Sequence, residues 1–305
     1  MRTKGFSIGI IFLLIAVVCT TCTKDEALLI PDGELSALKK ANSSNYVPGE
    51  DITEQLRSDL ENGLSVTLPA GHFYLSESVF ITGYTGGTIK GAGKGFTIIE
   101  ASPGFKALPN PFIGGETASI LEFHWATGDI TLKAMSVMVE GETPAEEHVH
   151  LFLGTSTNID NIFVVQGRNI SVEYKDLSFK GEFVGDEVPG AVNGYNVGIP
   201  MLTSGWQAEG GPINLTIKNC EVDGAGEFGM DYLVGNGVAE FKDNDISNAH
   251  VGLRLAILWD GNVTVKDCRF ENITADVILE YGYIGIPLCF KDNMEDGLPL
   301  PDDCQ

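Results

Sequence analysis

The sequence predicts an all-β solenoid with about 24 residues per coil, opened by one short capping helix. Three observations carry that expectation. A ten-residue pattern recurs at residues 215–224 (LTIKNCEVDG), 239–248 (AEFKDNDISN) and 263–272 (VTVKDCRFEN), with a shorter copy at 288–293 (LCFKDN). Within each copy apolar and polar residues alternate, which is the period of a strand with one buried face. The central residues Asn219, Asp243, Asp267 and Asp292 are 24, 24 and 25 positions apart, and no segment of helical period lies between them. A single copy cannot bury its own apolar face, so the copies must stack. Residues 172–181 (VEYKDLSFKG) fit the template as well, and 132–141 fit it more weakly.

The chain opens on an address. Arg2 and Lys4 precede an apolar run over residues 8–18, too short to span a bilayer but the length of a signal-peptide core. Cys19 and Cys22 follow. A cysteine after such a run resembles the lipobox of bacterial lipoproteins, and Cys22-Thr23-Lys24-Asp25-Glu26 resembles the acidic export tag of surface lipoproteins in some Gram-negative bacteria. That resemblance implies a palmitate-bearing anchor at Cys22, with Cys19 as the other candidate, and a place on the outer face of the outer membrane. An ordinary cleaved signal is the alternative. The organisation expected is a signal peptide over 1–22, a polar tether over 23–47 and one domain over 48–305.

Within that domain residues 51–61 read as the capping helix, with Asp51 as N-cap and Ile52, Leu56 and Leu60 on one face. Residues 65–75 (SVTLPAGHFYL) and 88–99 (TIKGAGKGFTII), with the Asn/Asp column of the repeats, resemble the opening coils and the ladder of the pectin-lyase-like superfamily. The resemblance runs from about residue 51 to 292 and implies a single-stranded right-handed parallel β-helix. It does not fix an activity, because that fold hosts lyases, hydrolases, epimerases, adhesins and spacers. The Gly91-Ala92-Gly93-Lys94-Gly95 stretch lacks the spacing of a phosphate loop and reads as a tight solenoid turn. Cys220 and Cys268 fall two coils apart in one column, about 10 Å, too far to bridge, so they read as core thiols. Cys289 and Cys304 are candidates for a disulfide that pins the C-terminal tail over the last coil. Lys218, Lys242, Lys266 and Lys291 form a further column, read as a charge-compensated ladder.

Composition limits the function. A formal charge of −23 over 305 residues, with 42 acidic against 19 basic side chains, excludes a nucleic-acid partner. A hydrophobic fraction of 43% excludes a disordered chain, and six cysteines in this length are no disulfide scaffold. A monomer that touches membrane only through its lipid is expected.

The superfamily resemblance places the groove on the sheet reached after the long turn. Alternation in Met230-Asp231-Tyr232, Leu253-Arg254-Leu255 and Leu279-Glu280-Tyr281 points Asp231, Arg254 and Glu280 outward there, in one column. Extra residues at one corner would wall that face with two loops, 142–147 and 182–211. His150, Tyr195, Trp206 and Trp259 are the candidate contacts for sugar rings. Asp231 and Glu280, two coils or about 9.6 Å apart, suit the acid and base of an inverting glycosidase. Arg254 instead resembles the arginine base of pectate lyases, whose acidic residues bind Ca²⁺. An Asp–Arg–Glu ladder that merely neutralises itself is the structural alternative. His148 and His150 with Glu146 or Glu147 are weighed as a metal set, and no metal site is assigned. Two readings stay open: an enzyme acting on polysaccharide, lyase or hydrolase, and a non-catalytic glycan-binding or adhesin-like protein.

Overall fold

The computed structural model describes residues 45–304 except 107, 110–115, 118, 140–158, 186, 188–190, 192, 206–211 and 234. After Tyr46 the chain enters helix α1 (Thr53–Glu61), whose Ile52, Leu56 and Leu60 side are buried over the first coil. The helix starts two residues later than the sequence suggests. Asp51 stands just outside it, and its Oδ1 accepts from the Thr53 N–H at 2.9 Å and the Thr53 hydroxyl at 2.6 Å. Burial alone would raise the Asp51 carboxyl, but hydrogen bonds from Ser76 and Thr53 outweigh it and hold the group below its ordinary value.

The coils then follow, each visiting three sheets in the same order. Strands β1 (Val66–Thr67), β2 (Gly71–Glu77) and β3 (Val79–Thr82) make the first. The second is β4 (Gly87–Lys90), β5 (Thr97–Lys106), a two-stranded hairpin of β6 (Leu108–Pro109) and β7 (Glu116–Thr117), and β8 (Leu121–Ala126). Next come β9 (Ile130–Val139) with β10 (Ile159–Gly167), and β11 (Ile170–Lys180) with β12 (Val197–Gly205), where the first strand of each pair bends round a corner to serve two sheets. Strands β13 (Ile213–Lys218) with β14 (Glu221–Leu233), and β15 (Asn236–Lys242) with β16 (Asp245–Leu258), share a coil likewise. The last are β17 (Asp260–Lys266), β18 (Arg269–Ile273), β19 (Ile278–Ile284), β20 (Leu288–Lys291) and β21 (Met294–Glu295). The tail adds β22 (Leu298–Pro299) and β23 (Asp303–Cys304). Among the described residues every coil-to-coil strand pairing is parallel; antiparallel pairing is confined to the tail strands, the hairpin and one bridge between Phe183 and Tyr195. This is the parallel β-helix that the repeat implies.

We call the three faces sheet A (β3, β8, β10, β12 and the ends of β14, β16 and β19), sheet B (β1, β4, β13, β15, β17, β20 and the starts of β9 and β11) and sheet C (β2, β5, β18, β21, the ends of β9 and β11 and the starts of β14 and β16). The interior is one continuous apolar stack, with Tyr174, Phe179, Phe241 and Phe270 among its fully buried members. The corner between sheets B and C explains the repeat. Asp176, Asn219, Asp243, Asp267 and Asp292 all have φ between 52° and 55°, a left-handed conformation that Asn and Asp tolerate best after glycine. The next residue turns inward, and Cys220, Asn244, Cys268 and Asn293 stack there, all buried. Asn244 Oδ1 accepts from the Cys220 N–H and Asn293 Oδ1 from the Cys268 N–H, both at 3.0 Å, so these amides are satisfied where a thiol could not serve. Both cysteines are free; burial pushes the Cys220 thiol up to about 12 and the Cys268 thiol up to about 11, which makes them packing groups rather than nucleophiles.

The glycine stretch is the solenoid turn expected. It joins β4 to β5, and a Cβ on Gly91 would lie 2.3 Å from the Ala134 carbonyl oxygen. At the far end β22 and β23 fold back antiparallel on β21 and β20, and Cys289 is disulfide-bonded to Cys304. One expectation fails: residues 182–211 are not one long loop, because 197–205 form β12 in sheet A. Its alternation is masked by a run (VGIPMLTSG) that is apolar on both faces.

Candidate functional site

Sheet A carries one column of outward positions in unbroken register: Phe80, Glu122, Val164, Leu202, Asp231, Arg254 and Leu279. Their neighbours along each strand, such as Phe163, Met201, Met230 and Leu253, point into the core. The outward side is itself apolar in its middle. Val164, Ile199, Leu202, Phe228 and Val251 form a second buried cluster there, against which Leu279 packs.

Asp231 and Arg254 are neighbours in this column, as the alternation predicts. They are not free for chemistry. Arg254 Nε donates to Asp231 Oδ1 at 2.9 Å, its Nη2 donates to the other carboxylate oxygen, and its guanidinium carbon lies 4.0 Å from the centre of the Phe228 ring. Asp231 is 1% and Arg254 3% exposed. Burial raises the Asp231 carboxyl, and the hydrogen bonds and charge of Arg254 oppose it. A bidentate pair of this kind fixes both groups and cancels both charges.

Glu280 does not join them. Leu279 stands opposite Arg254, and Glu280 stands opposite Leu255, exposed on the last strand of the sheet. The coil from Arg254 to its partner is 25 residues long, like that from Asp267 to Asp292, whereas aligning Glu280 requires one more. The paired carboxylates of the glycosidase reading are therefore not stacked two coils apart in one column.

The proposed contacts divide. His150 and Trp206, with His148, Glu146 and Glu147, lie outside the described residues, as does Cys22. Trp259 is 50% exposed where the chain leaves sheet A, and Tyr281 on β19 is 60% exposed. Tyr195 is half-buried where the chain approaches sheet A, its ring edge-on to Phe183 at 5.4 Å, and Phe183 is 61% exposed. Aromatic rings thus stand along both margins of the sheet. Among the described residues no three His, Cys, Asp or Glu side chains converge to hold a metal, so the calcium reading has no ligand set there.

Sequence reasoning passed over a second polar pair on the same face. On β8 the side chains of Glu122 and His124 bond to each other, both about 4% exposed, and the imidazole stacks on Phe80 at 4.7 Å. The signal is present in Leu121-Glu122-Phe123-His124, whose alternation sends Glu122 and His124 to one side. Trp125, next to it, has φ 56°, and Ile257 in β16 has φ 54°; each lies where the register of sheet A slips by a residue. Left-handed backbone at such bulky residues is costly and re-aims the strand at a bulge. Glu122 and Asp231 are three strands apart, about 14 Å, too far to act on one bond.

No protein-family model matches the sequence, and no curated protein matches it. Among solved structures the chain is similar to a pectin methylesterase in complex with a hexasaccharide, at 11% identity over 90% of this chain and 88% of that one, with a TM-score of 0.34. The ORF18 protein of Geobacillus virus E2 is similar at 11% identity over 89% of this chain and 64% of that one (TM-score 0.34). The A-module of a mannuronan C-5 epimerase from Azotobacter vinelandii is similar at 11% over 87% and 95%, with a TM-score of 0.27.

Proposed function

We propose that this chain is a lipid-anchored, outward-facing surface protein that binds a polysaccharide at the aromatic margins of sheet A, without cleaving it. One observation carries the reading. Aromatic rings, exposed Phe183 with half-buried Tyr195 on one side and exposed Trp259 with Tyr281 on the other, flank a sheet built from in-register strands about 4.8 Å apart. Rings of this sort supply stacking faces for sugars. Binding is favoured over catalysis because Asp231 and Arg254 are consumed by each other and Glu280 is out of their column.

The test is affinity electrophoresis against a polysaccharide panel, alongside assays for new reducing ends and unsaturated uronates. Wild type is expected to be retained by at least one polymer and to release no ends. Trp259→Ala and Phe183→Ala are each expected to weaken retention about 5- to 10-fold, the value of one aromatic contact. Indifference to every polymer would sink the reading. Release of ends would favour the enzyme, and Glu122 and His124 would then be the groups to substitute. The anchor has its own test: Cys22→Ala should move the protein from the detergent phase to the aqueous phase, and a variant that still partitions into detergent places the anchor elsewhere.

A further inference from the structure

The lysine column extends well beyond the four copies legible in the repeat. Lys90, Lys133, Lys175, Lys218, Lys242, Lys266 and Lys291 are direct register partners on sheet B, one per coil. Stacked at about 4.8 Å, they form a straight row of ammonium groups roughly 29 Å long on an acidic protein. Like charges directly opposite each other in a sheet repel, so such a row is a cost unless something offsets it. The protein offsets little of it at close range. Lys266 has Asp267 at 3.4 Å, and none of the other six has a carboxylate within 4.0 Å among the described residues.

Acidic side chains do stand nearby. Asp176, Asp243, Asp267 and Asp292 occupy the corner after the lysines, and Glu173 and Glu240 lie in the neighbouring column. Asp176 is turned to its own ladder, accepting from Asn219 Nδ2 at 2.6 Å. In the first coils the flanking positions are Thr88, Gly91, Thr131 and Ala134, so Lys90 and Lys133 have no acid beside them on their own strands.

We propose that this row is a second binding surface, separate from sheet A, for an extended linear polyanion that lies along the solenoid axis with about one charge per coil. A polyuronate fits, since each ring carries one carboxylate and is about as long as the coil rise. Duplex nucleic acid does not fit, because its charge density, about one per 1.7 Å of axis, far exceeds a single file of lysines on a negative protein.

The experiment measures retention of the full chain by polygalacturonate (a carboxylate on every ring), hyaluronate (on every second ring) and dextran (none), over a salt series. The triple variant Lys133→Gln, Lys175→Gln, Lys218→Gln is compared with the same three positions changed to Arg. Expected are tighter retention by polygalacturonate than by hyaluronate, weakening with salt, a loss of about tenfold or more in the Gln variant, and retention kept in the Arg variant. Unchanged polygalacturonate binding in the Gln variant overturns the proposal. So does polygalacturonate binding lost in Trp259→Ala but not in the Gln variant, which would assign the polyanion to sheet A. Tighter binding of an oligothymidylate than of polygalacturonate also overturns it. Retention by neutral polymers through sheet A is expected to be the same in all three proteins, so the two surfaces fail or stand separately.

Discussion

Asp231→Ala is expected to lower the free energy of unfolding by about 3–5 kcal/mol, read as a shift of the denaturant midpoint, because it strands the Arg254 guanidinium without its counter-charge. The guanidinium is 3% exposed and lies against Phe228, so water cannot take over the work of the lost carboxylate. Replacing both partners gives the opposite expectation. Asp231→Leu with Arg254→Met removes two desolvated charges from a site bordered by Leu202 and Leu279, and should leave stability within about 1 kcal/mol of wild type or above it. Arg254→Lys belongs with the single variants, since one ammonium cannot reproduce the two-point bond to both carboxylate oxygens. Two readings of the pair separate here. If it is structural, the apolar double variant keeps both its stability and its glycan retention. If it touches ligand, that variant stays folded and loses retention. A stable Asp231→Ala protein would contradict the burial itself.

The fold was legible because its information is local and repeated. Asn219, Asp243 and Asp267 each announce a left-handed corner, and the alternation on either side of each tells which residues face inward. Thus the interior position of Cys220 and Cys268 and the pairing of Cys289 with Cys304 could be anticipated before any coordinate. What repetition does not carry was read less well. β12 is apolar on both faces, because its outward side joins the second buried cluster through Ile199 and Leu202, and a strand without alternation reads as loop. Glu280 illustrates a different limit. Its alternation implied an outward Glu280 and a coil of 26 residues, whereas the coil of 25 sets Leu279 in the outward column and Glu280 opposite the core residue Leu255.

The candidate site suffers from the same limit in another form. Alternation gives the side of a sheet on which a residue lies, not whether that side meets water. Asp231 and Arg254 were placed on the correct side, and their inaccessibility follows from the apolar residues around them in space, several coils away in sequence. Glu122 and His124 obey the rule that found Asp231. They lie in a coil where the repeat has decayed, so no stacked copy draws the eye to them. The lysine row went the other way: its C-terminal half is conspicuous, and only the pairing of β4, β9 and β11 reveals that it continues through Lys90.

A chain ending at Asn293 is expected to associate through its open end, forming two-fold dimers whose fraction rises with concentration in light scattering, whereas the 305-residue chain stays at one mass. The argument is one of edges. A strand edge with unpaired amides and carbonyls is a template for another strand, and natural proteins cover or charge it. Here β23 covers the edge of β20 and β22 the edge of β21, while the disulfide between Cys289 and Cys304 closes a 15-residue separation that holds the cover down. Within sheet A the last strand, β19, pairs on one side only among the described residues, and exposed Glu280 is the sort of charge that discourages strand addition there. The opposite end of the solenoid is closed by α1, with Leu56 and Leu60 buried beneath it. Head-to-tail growth is therefore blocked, and two truncated ends can meet only each other, which gives a closed dimer rather than a fibre. Reducing the disulfide in the 305-residue chain should act in the same direction but more weakly, because a cap released from a loop of this length loses about 3 kcal/mol of chain-entropy support yet keeps its strand pairing. A truncated protein that remains monomeric at every concentration would mean that the bare edges of β19 and β20 protect themselves and that the tail serves another purpose.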